Sequence, residues 1–203
     1  MTIKYFYPNN IKKDSIKFRE LVIYSVLLIY IYLIADPLST LLGTSFHTQS
    51  FNSFDMPDIL AIVIIAPFIE EITFRVHLSG EKKHAWGLLL MVFTFSIFLE
   101  FWWTVVIILL FGGFVFLLYE GFSEFITGKF FNMIFFISCI LFSLAHYNEI
   151  DSDSFYIKIL IVLIYLPISI YFAYTRRKYG LIIAIGAHSF YNFSVLTINS
   201  LVY

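Results

Sequence analysis

Seven apolar runs occupy most of this chain, at residues 18–35, 58–78, 85–99, 101–119, 130–147, 155–175 and 180–202. A helix that spans a bilayer needs about 20 mostly apolar residues, with a range of roughly 17–25. Most of the runs reach that length. Of 203 residues, 60% are hydrophobic and 13% charged, where soluble domains have about 45–50% and about 25%. That excess is too large for a globular core and predicts a membrane-embedded chain. The 25 Phe and 14 Tyr suit lipid-facing and interfacial positions. Trp86, Trp102, Trp103, Tyr171 and Tyr174, near run ends, are read as interfacial.

Charge placement sets the count and the orientation. The third run is short, and only Glu100 separates it from the fourth. Basic residues precede the first run (Lys4, Lys12, Lys13, Lys17, Arg19) and recur at Lys82–Lys83, at Lys129 and in TRRK at 175–178. The loops between carry none: 36–57, the Glu100 turn and NEIDSDS at 148–154. Lys and Arg in every second loop is the positive-inside pattern. The expectation is an all-α polytopic transmembrane bundle of about seven spanning helices with a cytoplasmic N-terminus. No internal repeat or linker divides it, so it reads as a single membrane-embedded domain, 1–203. No small-residue cleavage site follows the first run, which is read as a retained helix. Cys139 is the one cysteine, a small buried side chain with no disulfide or thiol metal site. A net charge of −1 gives no reason to expect nucleic acid.

An ionisable side chain at the bilayer centre costs on the order of 2.5–3.5 kcal/mol and normally faces the bundle interior. Away from the run ends these are Glu70, Glu71, Arg75, His146, Lys158 and His188, with Asn192 as a polar companion. Lys158 is one turn inside its run and can snorkel. Glu71 and Arg75 are four apart and can pair along one helix face. Glu70 is about 100° round the helix and faces another partner. Pro67, one turn earlier, removes a backbone hydrogen bond and bends the helix. Phe142 and His146 share a face, and so do His188 and Asn192. Pro167 is expected to kink the sixth helix. His77 and His84, flanking Lys82 and Lys83, are read as solvated, and His47 as part of a polar external loop.

A carboxylate, two imidazoles and an amide from three helices can split an amide with water. A Glu and a His deprotonate and orient the water; a second His and an Asn donate to the oxyanion. No serine or cysteine nucleophile and no cofactor is required. EEITFR at 70–75, FSLAH at 142–146 and HSFYN at 188–192 resemble the EExxxR, FxxxH and HxxxN motifs of the CAAX protease and bacteriocin-processing (CPBP, or Abi) family. That family includes the glutamate-dependent type II CAAX prenyl endopeptidases. The resemblance spans about 58–195 and implies Glu70 as water-activating base with His146 as its partner. It implies His188 and Asn192 as the oxyanion hole, Glu71 and Arg75 as supports, and no catalytic metal. Residues 85–119 then read as an inserted helical hairpin outside the family-like core. Counted at about 1.5 Å per residue, Glu70 falls near mid-membrane and His146 near the outer end of its helix.

The function expected is an endopeptidase acting on a membrane-associated peptide or protein, in the multi-pass membrane of a bacterial cell. The richness in Ile, Phe, Asn, Lys and Tyr suggests the AT-rich genome behind that last reading. Three alternatives stay open. One is a zinc protease with ligands among His146, His188 and Glu70 and with Glu71 as base. Another is a non-catalytic bacteriocin-immunity or binding protein. The third is a proton-coupled transporter, against which the missing repeat weighs. Membrane lipid and a peptide or membrane-protein substrate are the partners expected; substrate identity and oligomeric state are not encoded legibly.

Overall fold

A computed structural model of the chain describes residues 55–79, 84, 86–96, 131–146 and 155–202, with positions 19, 20, 22, 25, 26, 28 and 29 of an N-terminal helical stretch. The run at 101–119, Trp102, Trp103, His47, the Glu100 turn, NEIDSDS and the lysines at 4, 12, 13, 17, 82, 83 and 129 lie outside the described residues.

Every described element is helical, with no strand among the described residues. Helix α1 (Met56–Leu60) passes through a π-helical turn (Ala61–Ile65) into α2 (Ala66–Arg75), which closes in a 3-10 turn (Val76–Ser79). Then come α3 (Trp86–Ser96), α4 (Phe131–Ala145), α5 (Phe155–Tyr179) and α6 (Leu181–Val202). Asp55 caps α1, its Oδ1 accepting from the Asp58 N–H at 3.2 Å, with Pro57 in the first turn, where its missing N–H costs nothing. The π turn has a cause in the sequence. The Ala66 N–H donates to Ala61 O, five residues back. The next bond in that register would run from residue 67 to Ile62 O, and Pro67 has no N–H to give. The Ile62 carbonyl is thus left for another donor.

TRRK is not a loop. Helix α5 runs through it to Tyr179, and Gly180, at a φ of 101°, turns the chain directly into α6. Such a φ is one L side chains rarely adopt. Arg176 and Arg177 fold back onto the end of the α2 rod. Arg176 donates to Arg75 O (3.2 Å) and Val76 O (3.0 Å), and Arg177 to Ser79 O (3.2 Å). A helix leaves its last carbonyls without intrahelical donors; here two guanidinium groups supply them, with charge that suits a helix C-terminus. Lys178 Nζ and Tyr179 Oη both donate to Glu20 Oε2, at 2.6 and 2.9 Å, tying the N-terminal stretch to α5.

Polar and ionisable side chains share the interior with the apolar core, and many large apolar side chains are exposed. The buried residues include Glu71, Arg75, His77, Ser138, Ser143, Ser169, Thr175 and His188, whereas Ile64, Phe68, Ile69, Phe136, Ile140, Leu163 and Phe193 are exposed. Exposed apolar side chains in that number suit contact with an apolar partner or lipid. Leu181–Ile198 is long and apolar enough to cross a bilayer, at mean hydropathy 1.6, and α4 is a shorter apolar helix.

Two clusters form the core. Phe74, Leu78, Phe131, Phe135, Cys139, Phe142 and Ala173 pack with Leu88 and Met91 of α3. Gly87 lets α3 approach the 3-10 turn, since a Cβ there would meet Val76 Cγ1 at 2.1 Å. The second cluster joins Leu28 to Ile168, Tyr171, Phe172 and Tyr191. Two sequence readings are corrected. Tyr171 is not interfacial but buried, its hydroxyl 3.4 Å from Ser25 Oγ. His77 is not solvated but 1% exposed, because the 3-10 turn folds it under α3 and the Arg176–Arg177 cap. His84 is half-buried and bonds Ser79 Oγ at 2.8 Å.

Candidate active site

One cavity of about 300 Å³ collects Glu70, Phe142, His146, His188 and Asn192. Apolar side chains complete its wall, among them Ile62, Ile168, Val195 and Leu196, together with Tyr165 and Tyr191. Glu71 and Arg75 lie directly behind it, 0% and 1% exposed.

Glu71 Oε1 is the hub. It accepts from Arg75 Nη1 one turn on and from His188 Nδ1 at 3.0 Å across to α6. Arg75 Nη2 donates to Ser169 Oγ at 3.1 Å, and its guanidinium lies 4.0 Å from the centroid of the Phe142 ring, a cation–π contact strengthened by the absence of water. With Nδ1 turned to Glu71, the other nitrogen of His188 points toward the adjacent carboxylate: Nε2 is 3.6 Å from Glu70 Oε2. His188 thus sits between two consecutive glutamates, one buried and one on the cavity wall. The resemblance pairs Glu70 with His146, which lines the same cavity; His188 also approaches Glu70.

His146 follows the last turn of α4 and donates from Nδ1 to Phe142 O at 2.8 Å, which leaves Nε2 as its second functional nitrogen. It shares the cavity with Glu70 although residue counting separates their depths. The Ser138 hydroxyl donates to Phe74 O and sets α4 against α2, the two running antiparallel. His146 is two turns from Ser138 and Glu70 one turn from Phe74. Helix side chains lean toward their own N-terminus, so on antiparallel helices His146 and Glu70 lean toward each other, and the gap closes.

Asn192 takes up the carbonyl that Pro67 leaves over: its Nδ2 donates to Ile62 O at 3.0 Å. A primary amide has two N–H donors, so one remains for the cavity. Among the described residues, no three His, Cys, Asp or Glu side chains are grouped so as to hold a metal ion.

Residues 113–194 match the family model for type II CAAX prenyl endopeptidase Rce1-like proteins. Over that stretch the chain is similar to the CAAX-protease family. The matched stretch holds two of the three motifs, FSLAH and HSFYN, and begins after EEITFR. The EEITFR motif, outside the matched stretch, is tied to the other two by contact, through Glu71 to His188 and through Arg75 to Phe142. No curated protein and no solved structure matches the chain.

Three contacts of the site belong to residues the motifs do not contain. Tyr165 stacks on His146, with centroids 4.4 Å apart and planes 22° from parallel. Phe172 stacks on His188 at 4.3 Å and 20°, and Ser169 holds Arg75. Their helical spacing on α5 was the only signal available for them.

Proposed function

We propose that the protein is an intramembrane endopeptidase that hydrolyses a peptide bond of a membrane-associated peptide or protein with water activated by Glu70 and histidine, without a catalytic metal. The observation that carries this reading is the convergence of a carboxylate, two imidazoles and an amide on one otherwise apolar cavity. The similarity of residues 113–194 to the type II CAAX prenyl endopeptidase model supports it at the level of reaction class. Glu70 takes a proton from water as the water oxygen attacks the carbonyl carbon, with His146 orienting the water. The C=O electron pair moves onto oxygen and is met by the second N–H of Asn192 and by Nε2–H of His188. In the imidazolium form both His188 nitrogens donate, Nδ1 to Glu71 and Nε2 to the oxyanion. Collapse breaks the C–N bond, and Glu70 returns its proton to the leaving amine. The exposed apolar side chains and the alternation of basic residues between the apolar runs support about seven spanning helices in a bacterial cell membrane, with the N-terminus cytoplasmic.

The test is cleavage of a fluorogenic membrane-peptide library by the purified protein in lipid, with and without a chelator. Cleavage that survives the chelator is the expected result. Loss that zinc restores would move the reading to a metalloprotease. No cleavage of any peptide by folded protein would favour a binding or immunity role.

Pro67→Ala tests the oxyanion donor through the backbone. Alanine restores an N–H at residue 67, which in the π register competes with Asn192 for Ile62 O. The expected result is a kcat lower by about tenfold with KM little changed, since losing one oxyanion donor outright costs about 10²–10³. The melting temperature holds or rises, because a helical alanine is preferred to proline. Unchanged kcat would separate the Ile62 contact from catalysis.

A further inference from the structure

The fifth described helix carries none of the three motifs, yet it touches all of them along one stripe. Tyr165, Ser169, Phe172 and Arg176 are spaced i, i+4, i+7 and i+11, which puts them on one face at about 100° per residue. From the outermost down, Tyr165 stacks on His146, Ser169 accepts from Arg75, Phe172 stacks on His188 and Arg176 binds the Arg75 and Val76 carbonyls. Each histidine is held twice in the same way. Its Nδ1 is fixed by a hydrogen bond, to Phe142 O for His146 and to Glu71 Oε1 for His188. A single such bond fixes a point and leaves the ring able to turn about it. The stacked ring from α5 fixes the plane. A point and a plane together leave Nε2 one direction, and for His188 that direction is Glu70.

We propose that α5 is the positioning helix of the site, with Tyr165 and Phe172 as positioning residues that set the ring planes of His146 and His188. The proposal rests on the endopeptidase reading for its effect on rate, but not for its effect on the rings. Both are tested by Tyr165→Leu and Phe172→Leu against the aromatic controls Tyr165→Phe and Phe172→Tyr. Ring-labelled histidine NMR of the full-length protein in detergent, assigned with single His→Gln variants, reads the stacks directly. Tyr165→Leu is expected to move the ring-current shift of His146 and not that of His188, and Phe172→Leu the reverse, the Phe142 ring contributing to both throughout. In each leucine variant kcat falls about tenfold with KM within about twofold, on the scale by which small misplacements cost rate. The aromatic controls retain both shift and rate, which a loss of general packing would not predict.

Phe172 is fully buried, and its leucine variant can fail to fold. Tyr165 is half-buried on the cavity wall, so its variant decides the matter in that event. An unmoved His146 shift in Tyr165→Leu would overturn the stack, and a moved shift with unchanged kcat would overturn the positioning role. Failure of folded wild type to cleave would count against the endopeptidase reading, while the shifts would still decide whether α5 orients the rings.

Discussion

Glu70→Gln is expected to reduce kcat by about a thousandfold or more, within the range attributed to a general base, while the protein stays folded. Glutamine keeps the shape and the hydrogen-bonding reach of glutamate but cannot accept a proton from water. Nothing in the buried ion pair depends on the change, because Arg75 is held by Glu71 and Ser169. The Glu70 side chain is 28% exposed, on the wall of the cavity and not in the packed core. Single-turnover cleavage of the best library peptide, with a thermal melt of the same sample, separates the two effects. Cleavage at the wild-type rate would remove Glu70 from the chemistry. A collapse of the melt would make it a structural residue instead.

What could be read from the sequence was short-range. Glu71 with Arg75, Phe142 with His146 and His188 with Asn192 are each four residues apart, and helical spacing alone puts each pair on one face. The long apolar runs likewise foretold helices, and α2, α4, α5 and α6 lie where the runs do, with ends shifted by a few residues. The run ended at residue 175 because hydropathy counts Arg176 and Arg177 as loop. They remain helical because the α2 carbonyls accept their protons. Hydropathy is one-dimensional and does not say which face of a helix meets protein. In a chain with 25 Phe, nothing marks Phe172, stacked on His188, apart from exposed Phe193. For the same reason Tyr171 and His77 were read as interfacial and solvated when both are buried. The π turn had one local sign, Pro67, but its consequence needed Asn192, 130 positions from Ile62.

Glu71→Gln, one residue from the catalytic candidate, is expected to differ from Glu70→Gln by costing stability as well as activity. Glu71 is fully buried, and one of its oxygens takes both Arg75 and His188. Neutralising it leaves the Arg75 guanidinium charged, enclosed between Phe142 and Phe172 at 4.0 and 5.5 Å, with Ser169 as a neutral partner. Breaking a buried pair from one side costs about 3–5 kcal/mol, whereas replacing both members with apolar residues of similar volume is often neutral. Arg75→Met alone should therefore destabilise by a similar amount, stranding the carboxylate. The double variant Glu71→Gln, Arg75→Met should recover most of the loss. A double-mutant cycle on denaturant midpoints in detergent measures that coupling. His188 supplies the link to function: with the charge at Oε1 gone, its Nδ1 keeps at most a neutral acceptor, and the imidazolium that donates to the oxyanion is less well supported. The double variant is thus predicted to be stable and still slow. Full activity in it would show that the Glu71–Arg75 pair holds the helices together and contributes nothing to the chemistry beside it.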